Sequence, residues 1–365
     1  MNKFMNEKDK AVAEAMKQIN KQYGLNTIMK MDGSEKTNIE AISTGCFSLD
    51  YIFGCGGIPK SRIIEIFGEE ATGKSVLAMF IVAQAQKQGL KAVWIDAECS
   101  FNSKFATDIG MDIGKLILCQ PITGESALTI VDKMASTHSV DIIVLDSVAA
   151  LVPQKELEGE IIKDSMALQA RMMSKALRII TGNVSRTKTA VIFINQLRDK
   201  VGIFWGPKSI TPGGKALKFY ASVRLEVKKG KYITGENDEV IGNEIKIKSV
   251  KNKVGLPWRT AELRLIFRKG IDLPSALLDA AIARGVVSKS GNTLSLGEDK
   301  IAVGYDATLK AISEQPELYQ KINEALKIYE EKNQENIPPL AGAERDSEEV
   351  EEAETEGVSG DEDAS

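Results

Sequence analysis

The stretch Gly68-Glu69-Glu70-Ala71-Thr72-Gly73-Lys74-Ser75 constrains this chain more than any other. It fits G-x-x-x-x-G-K-[S/T], a pattern that has meaning only where a strand runs into it and a helix runs out. Both flanks comply. Residues 62–67 alternate as a half-buried strand does, and residues 75–88 form an apolar helical run that stops at Gly89. Strand, glycine loop and helix in that order predict an α/β fold with this loop at a sheet edge. Backbone N–H groups there turn inward around phosphate oxygens, and the helix N-terminus adds about half a positive charge. Lys74 is the candidate partner of the β and γ phosphates and Ser75 of Mg²⁺. A plain strand–helix turn is the alternative.

The rest of the sequence narrows the setting. A chain of 365 residues accommodates one large core and a small second domain. No apolar run reaches the roughly 18 residues a bilayer span needs, so no membrane partner is expected. The N-terminus has no apolar secretory core and carries acidic residues, which predicts a cytoplasmic protein. Cys46, Cys55, Cys99 and Cys119 lack zinc-ligand spacing and read as reduced thiols. The single histidine, His138, falls between a predicted helix and a strand, so chemistry built on a histidine base or a histidine metal cluster is nearly excluded. Net charge is −4, but residues 341–365 hold eleven acidic residues and one Arg; without them 46 basic residues face 40 acidic ones. An acidic tail on a basic body predicts competition with an anionic partner, or a tail that only aids solubility.

Residues 7–23 place Val12, Met16, Ile19 and Tyr23 on one helix face. Strands are predicted at 63–67, 91–95, 116–119, 141–145, 189–194, 221–227, 244–250 and 261–267. Helical patterns separate the first five, which predicts a mostly parallel central sheet with right-handed crossovers. The later strands follow one another through Gly/Asn-containing connections and are expected to be antiparallel. Residues 270–332 read as a small α/β domain with two helical patterns. Beyond Asn333 the composition predicts disorder.

Three further strands end in polar groups at the same edge as the phosphate loop. Residues 141–146 end in Asp146, placed to bind Mg²⁺ through water or to cap a helix. Residues 92–98 bring Asp96 and Glu98 to that edge; Glu98 is preferred as the group that polarises a water attacking the γ phosphate, with Asp96 as competitor and a helix cap as the alternative role. Residues 191–196 end in Gln196, whose amide is placed to sense a γ phosphate or simply to finish a strand. A long loop follows, 197–214, with Arg198, Lys200, Lys208 and the aromatic pair Phe204 and Trp205. Cations plus aromatics suit single-stranded nucleic acid. A second candidate loop, 158–166, leads into a helix on which Arg171 and Arg178 share a face, either for nucleic acid or for solvent. Lys251 and Lys253 lie two apart, on one face of a strand.

With these segments in order, the chain resembles the bacterial RecA recombinases from the N-terminal helix to about residue 330. The resemblance is carried by Ala41–Gly45, Gly68–Ser75, Ile95–Glu98, Val140–Leu151, Ile194–Arg198 and, most specifically, Gly213–Arg224. It implies a RecA-type phosphate-loop core, residues 36–270, between an N-terminal helix and oligomerisation segment, 1–35, and a small C-terminal domain, 271–332, followed by an acidic tail, 333–365. It implies a DNA-dependent ATPase that assembles with ATP and Mg²⁺ into helical homo-oligomeric filaments on single-stranded DNA. Such a filament pairs that strand with double-stranded DNA in recombinational repair and stimulates self-cleavage of the LexA repressor. By the same resemblance Glu98 activates water and Gln196 is the γ-phosphate switch. Lys251 and Lys253 complete the neighbouring protomer's nucleotide site, at an interface that also holds Phe219, and Phe105 stacks on adenine. Met166, Arg171, Arg178, Arg198, Trp205, Gly213 and Gly214 fall at contacts to single-stranded DNA, and Lys289 at a position that guides duplex. Four departures stand out: Asn102 replaces a frequent aspartate near the base, Trp205 stands at the loop position of an aromatic that is often Phe and suggests a larger wedge, Lys163 and Asp164 alter the first loop's charge pattern, and Tyr305 replaces a basic residue. Another enzyme of the superfamily such as a hexameric helicase, a non-catalytic DNA coat and a metabolite kinase are the rival readings.

Overall fold

The computed structural model describes residues 7–24, 27–28, 30, 39–158, 165–199, 209–235 and 238–333. The chain divides into two units, residues 1–39 and 40–365. The first contains α1 (Glu7–Tyr23), with the limits its apolar spacing predicts. Asn20 closes the segment locally, since its amide donates to Ile28 O at 2.9 Å and accepts from Ile28 N at 3.0 Å. Val12 and Tyr23, on the apolar face, are exposed.

The second unit opens with β1 (Ala41–Ile42), α2 (Phe47–Phe53) and β2 (Ile58–Pro59), the two strands pairing antiparallel. Then come β3 (Ile63–Gly68), α3 (Lys74–Lys87), β4 (Ala92–Asp96), α4 (Ser103–Ile109), β5 (Leu116–Cys119), α5 (Gly124–Ser136) and β6 (Ile142–Asp146). Next are α6 (Gln154–Glu158), α7 (Ser165–Val184), β7 (Ala190–Gln196), the short strands β8 (Arg198–Asp199) and β9 (Ser209–Ile210), and α8 (Ala216–Tyr220). The strands β10 (Val223–Thr234), β11 (Val240–Asn252), β12 (Thr260–Ile266) and β13 (Gly270–Ile271) follow. Last come α9 (Leu273–Ala283), β14 (Val287–Ser290), β15 (Thr293–Leu296), β16 (Asp299–Val303), α10 (Tyr305–Glu314) and α11 (Pro316–Lys332).

Nine strands form one sheet in the order β13-β12-β11-β10-β3-β7-β6-β4-β5. The pairs from β10 to β5 are all parallel, and those from β10 to β13 antiparallel. β10 thus departs from the purely antiparallel expectation: it pairs parallel with β3 on one side and antiparallel with β11 on the other. The crossover that parallel pairing requires runs through the segment between β7 and β10. The β10–β11 hairpin also outruns its predicted ends, because Lys228–Thr234 pairs through its backbone without an alternating apolar face.

Burial on both faces explains the near-continuous apolar strands. Ile64, Ile66, Trp94, Ile142, Val144, Ile192 and Ile194 pack with α2, α3 and α4. Their neighbours Ile63, Val93, Ile95, Ile143, Leu145, Val191 and Phe193 pack with α5 and α7 on the other face. A third apolar cluster, including Leu278, Val287, Leu294, Ile312, Ile322 and Leu326, lies in the C-terminal region, where three helices surround a three-stranded sheet instead of the two helical patterns expected. The segment after Asn333 expected to be disordered lies outside the described residues.

Candidate nucleotide and DNA site

The polar strand ends converge as the sequence predicts, and the register explains why. Gly68 pairs with Gln196, Asp96 with Asp146 and Leu145 with Phe193, so four parallel strands end within two residues of one another. The loop leaving β3 is closely held. A Cβ on Gly68 would sit 2.2 Å from Val227 O, and Gly73, at φ +87°, starts α3 from a backbone conformation that favours glycine. Glu69, Glu70 and Ala71 are exposed, while Thr72 and Lys74 are buried. The Lys74 ammonium donates to Glu69 O and lies 3.5 Å from the Thr72 hydroxyl. Burial pushes the Lys74 pKa down, against the opposing pull of Asp146, Glu98, Glu70 and Glu69.

Ser75 hydrogen-bonds Asp146, whose carboxyl is pushed up to about 6, chiefly by burial and further by the charges of Glu98 and Asp96. A hydroxyl beside a carboxylate is a hard oxygen donor pair, the chemistry Mg²⁺ takes alongside phosphate oxygens and water. Among the described residues no group of three His, Cys, Asp or Glu side chains is placed to hold a metal ion. A cavity of about 160 Å³ adjoins this pair, lined among others by Trp94, Ser100, Phe101, Asn102 and Phe105.

The two carboxylates after β4 separate cleanly. Asp96 is 1% exposed and accepts from Ser100 N, Phe101 N and Gln120 Nε2 at 2.9–3.1 Å, which makes it the organiser of its turn. Glu98 is exposed and accepts from the Ser147 hydroxyl and, at 3.1 Å, from Gln196 Nε2. Two main-chain bonds fix this geometry: Ala97 N donates to Asp146 O at 2.7 Å and Leu197 N to Gly68 O at 2.9 Å. The last residue before the long loop is therefore tied both to the phosphate loop and to Glu98.

Residues 197–214 leave from and return to this edge. Arg198, exposed, pairs with Ile210, and Asn195 Nδ2 bridges Glu65 Oε1 at 3.0 Å and Pro212 O at 3.2 Å. Gly213 and Gly214 have φ of +86° and +75°, and a Cβ on Gly214 would lie 2.8 Å from Ala170 Cβ, so this return is built for glycine. Met166 falls in the first turn of α7; Arg171 and Arg178 share that helix and are exposed. Lys200, Phe204, Trp205 and Lys208, and Lys163 and Asp164 of the other loop, lie outside the described residues. Lys289 is exposed on β14.

Lys251 and Lys253 are not at this edge. Lys251 pairs with Arg224, and Arg224 with Glu65, three residues before Gly68. Strand geometry alone separates Lys251 from Gly68 by about 14 Å, three residues along and two strands across. Lys251 Nζ donates to the carbonyls of Lys218 and Phe219, and Lys253 Nζ lies 3.5 Å from the latter. Phe219 is 68% exposed beside them. Burial, then the charges of Lys253 and Arg224, lower the Lys251 pKa to about 8.

Sequence reasoning gave no role to Ser147 or to the buried Glu65–Arg224–Asn195 network. One glutamate in the apolar run Ile63-Ile64-Glu65-Ile66-Phe67 was the signal for the second; nothing but adjacency to Asp146 marked the first.

These features define a phosphate-loop NTPase with a mixed nine-stranded sheet, whose nucleotide edge is bonded to the base of a long cationic loop. The RecA N-terminal domain family model matches residues 10–272. Protein RecA of Chlorobium limicola is 46% identical over 309 residues, covering 84% of this chain and 88% of that protein. Protein RecA of Clostridium acetobutylicum is 46% identical over 299 residues (82% and 85%), and that of Thermus aquaticus 44% over 315 (86% and 93%). The chain belongs to the RecA family: it is a DNA-dependent ATPase and a recombinase of DNA repair, binding DNA and forming filaments. No helix among the described residues is long and apolar enough to cross a membrane.

Proposed function

We propose that ATP lies between protomers of a cytoplasmic filament, its phosphates on residues 68–75 of one protomer and its γ phosphate reached by Lys251 and Lys253 of the next. The placement of those lysines at the opposite end of their own sheet supports the split. So does the exposed apolar face of α1, whose segment 1–35 then docks on the neighbour. Mg²⁺, held by Ser75 and Asp146, supplies charge neutralisation for the phosphates when bound. Glu98 takes a proton from the attacking water, and Ser147 holds its carboxylate in place.

The observation that carries the coupling is the 3.1 Å bond from Gln196 to Glu98. A γ phosphate competes for the Gln196 amide, so nucleotide state sets where the chain enters residues 197–214. With that loop ordered, Arg198, Gly213 and Gly214, together with Met166, Arg171, Arg178 and Trp205, grip the backbone of single-stranded DNA. The bases stay free to pair with a duplex, which Lys289 helps to guide. This is a ligand-gated order–disorder switch. The same filament stimulates LexA-type repressor self-cleavage, a reading that rests on the family resemblance and is tested by mixing filaments with the repressor. The coupling is tested by Gln196→Ala. Nucleotide binding is expected to persist while stimulation of ATP hydrolysis by single-stranded DNA is lost; full stimulation in the variant sinks the switch.

A further inference from the structure

Resting on the reading just given for Glu98 and the long loop, we infer that Gln169 is a positioning residue that joins the return limb of that loop to Ser147 and Glu98. Through it, bound single-stranded DNA acts on the hydrolytic centre by a path separate from Gln196. The Gln196 path starts at the entry of the loop, and the Gln169 path starts at its exit. Both end on one atom, because the Ser147 hydroxyl and Gln196 Nε2 each donate to Glu98 Oε1.

Ser147 is buried and leads into a single 3-10 turn, Val148–Ala150. Ala150 N donates to Ser147 O at 3.1 Å and Leu151 N to Val148 O at 3.2 Å. A turn this short is weakly held by its own bonds. Gln169, near the start of α7, holds it from outside: Nε2 donates to Val148 O at 3.0 Å and to Leu151 O at 3.1 Å. Its Oε1 accepts from Gly213 N at 3.2 Å, on the return limb of the loop. Two carbonyls need the nitrogen and an N–H needs the oxygen, so the three bonds fix the amide one way round. Packing follows the same line. A Cβ on Gly213 would lie 3.0 Å from Val148 Cγ1 and 3.3 Å from Met173 Cγ, one helical turn after Gln169. A Cβ on Gly214 would lie 2.8 Å from Ala170 Cβ. Return limb, α7 and turn are thus packed without slack, and a shift of one is felt by the others. Gly213, Gly214 and Arg171, the groups proposed to grip DNA, sit at one end of this contact chain, and Ser147 sits at the other.

The test uses the full-length protein, with single-stranded DNA and ATP in a steady-state hydrolysis assay. Gln169→Met keeps the length of the side chain and its fitness for a helix and removes all three bonds. The variant is expected to bind single-stranded DNA normally with a non-hydrolysable ATP analogue and to keep its KM for ATP. Its DNA-stimulated kcat is expected to fall about three- to thirtyfold, the span that one link in a contact chain supplies. Two half-variants separate coupling from support. Gln169→Lys keeps a donor for the turn and offers nothing to Gly213 N. Gln169→Glu keeps the acceptor and turns a carboxylate on the two carbonyls. Both are expected to lose stimulation as Gln169→Met does, and they stand in should that variant fail to fold. A cycle with Ser147→Ala completes the test: with both residues on one path, the double variant hydrolyses no more slowly than the slower single one. Full stimulation in Gln169→Met or Gln169→Lys, or losses that multiply in the double variant, overturns the inference and leaves Glu98 and Gln196 in their roles. Loss of DNA binding itself in all three variants makes Gln169 part of the grip and also overturns it. Normal hydrolysis in Glu98→Ala overturns the reading of the site and the inference together.

Discussion

At the end of the sheet where β3, β4, β6 and β7 stop, the polar side chains hold one another. Gln196 reaches Glu98, Ser147 reaches Glu98, and Ser75 reaches Asp146. At the opposite end, Lys251 and Lys253 rest on main-chain carbonyls beside an exposed Phe219. The first end is organised by contacts among the chain's own side chains. At the second, no carboxylate among the described residues is hydrogen-bonded to either ammonium, which fits the proposal that their phosphate partner belongs to another protomer. On the proposed split, a head-to-tail interface brings the two ends against each other, and such a contact repeats into a filament where its rotation does not close.

Mixing two inactive proteins breaks or confirms that division most decisively. Lys74→Ala and Lys251→Ala are each expected to lose about 10³-fold or more of DNA-stimulated hydrolysis, the scale of a trans cation in phosphoryl transfer. In mixed filaments, a Lys251→Ala protomer supplying its intact loop can meet a Lys74→Ala protomer supplying its intact lysine. Random assembly puts about a quarter of the seams in that arrangement, and a steady-state ATPase assay on the mixture should recover a matching share of activity. If Lys251 served its own loop, the mixture would stay dead.

Glu98→Ala sharpens the description of the organised end. Hydrolysis is expected to fall by about 10² to 10⁴, the usual range for losing a positioned base. Filaments on single-stranded DNA, seen by electron microscopy, are expected to persist and outlast those of the unaltered chain. Normal turnover in this variant would return the role to Asp96, which the three donors on its carboxylate oppose.

Asp146 tests the cost of that organisation. Its pKa in the folded chain, about 6, lies above that of an unfolded aspartate, so the folded state holds the extra proton in the window between the two. Stability contributed by this carboxyl is therefore lost as pH rises through that window. Asp146→Asn removes the effect. Its advantage in urea unfolding without nucleotide should widen as pH rises through 6 and approach about 3 kcal/mol, two units at 1.36 kcal/mol each. The same variant should bind Mg²⁺–ATP more weakly. An advantage independent of pH would mean that burial does not strain this carboxylate.

Much of the organised end was legible because strands in a parallel sheet deliver their last residues to one edge. A phosphate loop plus three apolar runs ending in Glu98, Asp146 and Gln196 therefore sufficed to predict convergence. The choice of Glu98 over Asp96 became physical only with the turn built, when Asp96 was found filled by Ser100 N, Phe101 N and Gln120. The opposite end was hardly legible from spacing: Lys251 and Lys253 on one strand face say nothing of which end of the sheet they occupy. That follows from β10 pairing parallel to β3 and antiparallel to β11, a long-range choice no local pattern encodes. Ser147 escaped for a similar reason, since its partner lies 49 residues away.

The smallest expected effect bears on the lysine end alone. With a pKa of about 8, Lys251 is only partly charged at pH 8 in the free protomer. A phosphate arriving across the seam favours the ammonium and raises that pKa, so assembly with ATP should take up a fraction of a proton per seam at pH 8 and almost none at pH 6.5. Calorimetry of assembly in two buffers of different ionisation enthalpy reads this directly. Lys251→Arg, charged at both pH values, should abolish the uptake. Equal uptake in the wild type and the arginine variant would assign the proton to another group and leave Lys251 without contact to the neighbour's phosphate.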